Sequence, residues 1–527
     1  MINKLKKEKI LGLVEGFFSR PLPIWTFSER IDIIDFISKR SKRINYYLYC
    51  PKQDPYVVDY WDKQYPPKIL KNLQKTVEFA SCRGIRLAFG FNPQLPNSLS
   101  ADEYQKLISQ ISQKIDQLIK IGIRDFAVLF DDIPALDDLD QNLDIVNKRI
   151  ISETLVKIVN EVYATYRNSM DSFLACFYDY YFKKPSVLTE TIKYRLNPGI
   201  KIIWTGGDRF VKRATAKKFL KLKRVLGKKE IIYWSNYPSN NCEHALGVFH
   251  LDPFSAPETR VYKNLGGLLI NPMREAYANL PVLKTFADFL KRPNNYNGNR
   301  SLTAFYKEFF GKNSNLIYFI YKEFSYPNIT KRKKFLWKLA LASKREIVFS
   351  IKELAFAIFS LNSLSAKNLS QEAKNFLLVT KPLIKEAQIF SKLLSKIINN
   401  KKVNFAEFSR GDEFPTITNT PRYLGEIRKI VSKRLAMVAS YLWPGKDQLI
   451  LKNELLGAEY LESKYQGSRR RIISPRDQRQ MLLLIRKLTY MERKSFFRKI
   501  VRNRKISSVQ KIKLIITRKN ITRYSIC

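Results

Sequence analysis

Eight short runs of β-branched and aromatic residues, each followed by a longer amphipathic stretch, constrain the fold of this 527-residue chain more than any other feature. The runs cover residues 10–14, 44–49, 85–91, 126–130, 173–177, 200–204, 231–234 and 267–270. Each is too short for a helix and has little polar alternation, as expected of strands buried on both faces of a parallel sheet. The stretches between them have helical spacing: in 101–121, Leu107, Ile108, Ile111, Ile115, Leu118 and Ile119 share one face. Eight strand–helix units within about 290 residues predict a (β/α)8 TIM barrel, in the α/β class. A doubly wound sheet is the competing architecture, but no run is followed by G-x-G-x-x-G or G-x-x-x-x-G-K-[ST].

The rhythm changes at the polar stretch 291–300, and from Leu302 onward helical periodicity dominates. The expected organisation is a barrel over 1–295, an all-α helical domain over 302–467, and a strongly basic helical or partly ordered segment over 468–527. Charge follows the same division. Residues 1–300 carry 47 basic and 31 acidic side chains, and residues 301–527 carry 47 and 16. The last sixty hold 19 Lys and Arg against Asp477 and Glu492. Such a field attracts polyanions, so a polyanion contact through this region is one expectation; a genome-wide bias toward lysine is the plainer explanation. No run approaches the roughly 20 apolar residues of a membrane span. The longest candidate, 335–361, is broken by Lys338, Lys344, Arg345, Glu346, Lys352 and Glu353.

The scarce residue types exclude chemistry. With only His244 and His250, there is almost no material for a histidine-based triad or a multi-histidine zinc site. The aspartates at 137, 138, 140 and 144 are spaced like a calcium loop but lack its glycine and terminal glutamate, so no metal and no cofactor are expected. Five cysteines (Cys50, Cys82, Cys176, Cys242, Cys527) without a C-x-x-C, and no secretory signal at the basic start, point to reduced thiols and a cytoplasmic location.

Polar residues cluster just after the apolar runs. They include Glu15-Gly16, Lys52 and Asp54, Asp131-Asp132, Tyr178-Asp179-Tyr180, Asp208, Asn236 and Asn240-Asn241, and Asn271. In a barrel these are all C-terminal strand ends, which converge on one pocket. Asp131-Asp132 reads either as a helix cap beside a solvated carboxylate, or as a pair whose repulsion keeps one member protonated. Lys52 is either a Schiff-base amine or a hydroxyl donor, and the adjacent Asp54 favours the charged form. Trp204 and Trp234 suit the core, or the apolar face of a sugar at a pocket mouth; His250 and Cys176 read as packing residues.

These motifs carry a resemblance. Glu15-Gly-Phe-Phe, Tyr49-Cys-Pro-Lys52-Gln-Asp-Pro and Phe126-Ala-Val-Leu-Phe-Asp131-Asp132-Ile resemble the glycoside hydrolases related to O-GlcNAcase, family 84. So do Trp204-Thr-Gly, Trp234-Ser-Asn236-Tyr-Pro and Gly267-Leu-Leu-Ile-Asn271-Pro, in order across roughly residues 10–285. The resemblance implies a retaining β-N-acetylglucosaminidase acting on a glycan or glycoprotein through substrate assistance, an exception to the carboxylate-nucleophile scheme. Under it Asp131 orients and polarises the 2-acetamido group, and Asp132 is the general acid and base. Tyr180 bonds the acetamide, Trp234 walls its pocket, and Gly16, Lys52, Asn236 and Asn271 contact the sugar. The chain departs from the family pattern at Phe18 to Leu22, at Gln53 and at Asn92-Pro93-Gln94. Asn241 stands where the family has a sugar-gripping aspartate. The change at Asn241 and the altered stretch from Phe18 to Leu22 motivate the alternative that the barrel is a catalytically weak glycan-binding or scaffold module.

Overall fold

The computed structural model describes residues 8–17, 24–95, 100–131, 145–208, 211, 213–240, 249–324 and 369–398. Its eight strands are β1 (Ile10–Glu15), β2 (Tyr46–Tyr49), β3 (Arg86–Phe91), β4 (Asp125–Leu129), β5 (Ser172–Cys176), β6 (Lys201–Trp204), β7 (Ile231–Ser235) and β8 (Gly267–Ile270). They form a closed parallel barrel in sequence order. Gly12 pairs with Tyr46 on one side, and Ile10 with Gly267 on the other closes the ring. Nearly every strand residue is buried, which is why the runs show no polar alternation. At Gly12 the neighbouring strand leaves no room for a side chain: an added Cβ would lie 1.7 Å from the Tyr46 carbonyl oxygen.

The helices between the strands are α1 (Phe27–Arg40), α2 (Pro67–Ser81), α3 (Ala101–Lys120), α4 (Ile145–Tyr166), α5 (Val187–Arg195), α6 (Ala216–Leu226) and α7 (Thr259–Asn264). Their starts are encoded locally. Thr26 and Glu29 form a capping box on α1, and the Ser100 and Thr215 hydroxyls accept from backbone amides at the starts of α3 and α6. The helix α8 (Leu280–Lys291) presses Val282, Leu283, Phe286 and Leu290 into the core, and α9 (Gly298–Phe310) follows.

The chain divides into two compact units, residues 1–315 with 366–380, and 316–365 with 381–527. In the first, Phe376 stacks edge-on against Phe305 of α9, ring centroids 5.7 Å apart. In the second, the described residues belong to two helices, α10 (Ser314–Phe324) and α11 (Gln371–Ile398), which both begin in the first unit. The basic segment 468–527 and most of 302–467 lie outside the described residues. Among the described residues, no helix is long and apolar enough to cross a membrane.

The two rims of the barrel do different work. At the N-terminal rim the Asp125 carboxylate meets Arg86 at 2.9 Å and accepts from the Ser172 hydroxyl at 2.5 Å; Tyr46 is hydrogen-bonded to Ser172. Burial pushes the Asp125 carboxyl up to about 6, against the pull of Arg86. Of the polar side chains singled out in the sequence, those among the described residues stand at the other rim.

Candidate active site

Consecutive strand ends β2, β3 and β4 contribute Lys52, Asn92 and Asp131. The Lys52 ammonium lies 3.0 and 3.1 Å from the two Asp131 carboxylate oxygens. It also donates to Asn92 Oδ1 at 3.4 Å, while Asn92 Nδ2 donates to Asp131 Oδ1 at 3.3 Å. The Lys52 side chain is 2 % exposed and that of Asp131 13 %, so the pair is shielded but the carboxylate still reaches the surface. A buried ammonium held between a carboxylate and an amide oxygen is placed as a hydrogen-bond donor. The neighbouring Asp54 has other partners: Tyr49 and Tyr65 donate to its Oδ2 at 2.5 and 2.7 Å.

A second arc comes from β7, β8 and β1, which are neighbours across the barrel closure. Trp234 Nε1 donates to Asn236 Oδ1 at 2.7 Å, and Asn271 Nδ2 donates to the same oxygen at 3.1 Å. Asn271 Oδ1 in turn accepts from the Gly16 amide at 3.3 Å. A Cβ on Gly16 would lie 2.3 Å from the Trp234 ring, so the glycine lets the indole lie flush against the end of β1. Four residues separated by up to 255 positions thus form one closed circuit.

The third contribution follows β5. Tyr181 donates to the Tyr180 hydroxyl at 3.1 Å, their rings 4.3 Å apart, and the Tyr180 carbonyl accepts from Thr205. Just beyond, Phe182 is held at φ +49°, with the Asp179 carboxylate accepting from its amide at 3.2 Å. A left-handed conformation at a buried phenylalanine costs roughly 1–2 kcal/mol and persists only where packing over-determines it.

Of the residues expected from the sequence, Gly16, Lys52, Asp131, Tyr180, Trp234, Asn236 and Asn271 therefore all stand at C-terminal strand ends of one ring. Asp132 and Asn241 lie outside the described residues, as do the calcium-like aspartates after position 132. Trp204 is a core residue: its indole donates to the Tyr181 carbonyl and packs between Phe219 and Tyr233. Glu15 is fully buried in a two-pronged pair with Arg30, at 2.8 and 2.9 Å, and accepts from Tyr47. His250 packs edge-on against Tyr237, and burial lowers its imidazole to about 4. Asn92 was missed as a site residue, although its place directly after β3 is the same signal that marked the others. Among the described residues, no group of three His, Cys, Asp or Glu side chains is arranged to hold a metal ion.

The sequence profile of the β-N-acetylglucosaminidase family matches residues 11–320, well over half of the chain. The Protein O-GlcNAcase of Rattus norvegicus and that of Mus musculus are each 29% identical over 300 residues. The match covers 55% of this chain and 31% of theirs, so the chain spans about a third of the length of these curated relatives. Among solved structures, a variant of Thermobaculum terrenum O-GlcNAc hydrolase superimposes with a TM-score of 0.63 at 20% identity, covering 83% of this chain and 97% of that one. The structure of CpGH84B gives 0.63 at 20%, covering 81% and 73%. At that identity the structural likeness speaks for the fold alone.

Proposed function

The chain belongs to the β-N-acetylglucosaminidase family, glycoside hydrolase family 84, and from that premise we propose that it removes terminal β-linked N-acetylglucosamine, from O-GlcNAc-bearing protein or from a glycan, with retention of configuration. The observation that carries the reading is the Lys52–Asn92–Asp131 cluster: a carboxylate fixed at a strand end by a buried cation and a neutral amide. The Lys52 ammonium supplies the counter-charge to the Asp131 carboxylate. A fixed carboxylate there suits the N–H of a 2-acetamido group and stabilises the positive charge that develops on it.

In the proposed reaction the acetamido oxygen forms a bond to the anomeric carbon as the glycosidic C–O bond breaks. Asp132 gives its proton to the departing oxygen. The oxazoline so formed, protonated on nitrogen with that N–H held by the Asp131 carboxylate, is opened at the same carbon by water, whose proton returns to Asp132, and the two inversions give net retention. Tyr180 donates to the acetamide carbonyl, and Tyr181, donating to the Tyr180 hydroxyl, favours that direction. Trp234 walls the acetamide pocket. Gly16, Asn236 and Asn271, tied together by their own hydrogen bonds, present a rigid rim to the sugar hydroxyls. With Asn241 in place of an aspartate, one charge-assisted contact is exchanged for a neutral one, weaker by ~1 kcal/mol.

The test is hydrolysis of an aryl β-N-acetylglucosaminide beside its galactosamine epimer. Turnover of the gluco substrate is expected, with a KM that falls in the Asn241→Asp variant. Binding of the sugar without turnover would refute the enzyme and favour the glycan-binding module.

A further inference from the structure

The loop after β2 is held by one buried carboxylate that the reaction scheme does not use. Asp54 closes the turn that carries Lys52: its amide donates to the Pro51 carbonyl at 3.0 Å, with Lys52 and Gln53 as the two central residues. Its Oδ1 accepts from the Tyr56 amide at 2.9 Å, which fixes the following turn. Its Oδ2 accepts from the Tyr49 hydroxyl at 2.5 Å and the Tyr65 hydroxyl at 2.7 Å. Burial pushes both phenols upward, so they remain donors.

The two phenol partners are each held by further contacts. Tyr49 belongs to β2, and the Arg30 guanidinium, itself paired with Glu15, lies 4.9 Å above its ring. Tyr65 is clamped to α3 at both ends of its backbone: its amide donates to Gln117 Oε1 at 2.8 Å, and Gln117 Nε2 donates to its carbonyl at 3.0 Å. The Lys114 ammonium lies 4.6 Å over its ring. The loop then reaches Asn92, because the Asn92 amide donates to the Val57 carbonyl at 3.0 Å. Val57 in turn donates to the Asp54 carbonyl at 3.0 Å. Lys52 is therefore carried by the segment that Asp54 pins, and the backbone of Asn92 is bonded to that same segment.

We propose that Asp54 is a positioning residue for the reaction, setting through Lys52 and Asn92 the orientation of the Asp131 carboxylate. The inference rests on the function proposed above, and its test has an arm that needs no turnover. Asp54→Ala is expected to lower kcat/KM for an aryl β-N-acetylglucosaminide by about 10²-fold, a loss that a misplacement near 1 Å can cause. In a Lys52→Ala background the same substitution should cost less than about 10-fold, because only the share of its effect that runs through Asn92 remains. Asp54→Asn, which keeps one acceptor oxygen and the side-chain shape, should recover part of the loss. It also serves where the alanine variant folds poorly.

The second arm is acylation of Lys52 by an amine-reactive ester, followed by peptide mass spectrometry. Lys52 should react several-fold faster in the Asp54 variants than in the parent. Losses that multiply in the double variant, or a Lys52 acylation rate unchanged in a folded Asp54 variant, would overturn the proposal. If the parent chain hydrolyses no aryl glycoside, the proposed function fails while the acylation arm still decides whether Asp54 fixes Lys52.

Discussion

Gly16→Ala is the smallest perturbation that reaches the candidate site directly. A Cβ at this position would lie 2.3 and 2.5 Å from two carbons of the Trp234 six-membered ring. Ordinary carbon contacts are about 3.5–4.0 Å, so the indole must retreat by roughly 1 Å. It cannot do so alone. Its Nε1 is bonded to Asn236, Asn236 to Asn271, and Asn271 to the amide of Gly16 itself. Overpacking of this kind costs about 1–3 kcal/mol, which in a barrel of this size lowers Tm by only a few degrees. The effect on catalysis should be larger, about 10²-fold in kcat/KM, because the displaced ring is the proposed wall of the acetamide pocket. The assay is aryl β-N-acetylglucosaminide hydrolysis beside a thermal melt. In the double variant Gly16→Ala/Trp234→Phe the smaller ring relieves the clash, so Tm should recover while activity stays no better than in Trp234→Phe alone. A Gly16→Ala protein with parental Tm and parental kcat/KM would refute the reasoning.

Other outcomes follow from the same geometry and from the sequence. Asp131→Ala should slow substrates with good and poor leaving groups alike, whereas Asp132→Ala should cripple an alkyl glycoside by 10²–10⁴-fold, as expected on loss of a general acid, and spare much of oxazoline formation from a nitrophenyl glycoside. Equal losses across leaving groups would mean the pair acts as one coupled unit. The buried His250, held near 4 against about 6.5 when unfolded, binds its proton later in the folded chain. Stability should therefore fall as pH drops from about 6.5 toward 4, by about 2 kcal/mol between pH 7 and 5; urea melts of His250→Gln should lack this component. If segment 468–527 contacts a polyanion, binding should weaken steeply with salt and vanish on truncation after Gly467; salt-independent binding would count against it.

The barrel was legible because its strands are buried on both faces, so each run of apolar residues maps onto one strand. The run 267–270 coincides with β8, and the others differ from their strands by one or two residues. Asp131 and Asn271 stood out for the related reason that polar residues at strand ends in phase have few packing explanations. What the sequence could not carry was pairing at a distance. Asp54 lies beside Lys52 in the chain, but its carboxylate bonds Tyr49 and Tyr65, while the counter-charge of Lys52 comes from Asp131, 79 residues on. Trp204 and Trp234 look alike as strand-end tryptophans. Only the packed structure separates them, seating Trp204 between Phe219 and Tyr233 and Trp234 against Gly16.

The central claim is that the substrate's own acetamido oxygen attacks the anomeric carbon while Asp131 stabilises the charge that develops. The most direct measurement is kcat/KM for one aryl β-glucosaminide whose N-acyl group is changed stepwise from acetyl to mono-, di- and trifluoroacetyl. Each fluorine withdraws electron density from the attacking oxygen and leaves the leaving group unchanged. A steep, regular fall in log kcat/KM along the series is the expected result, and a flat series would contradict the account.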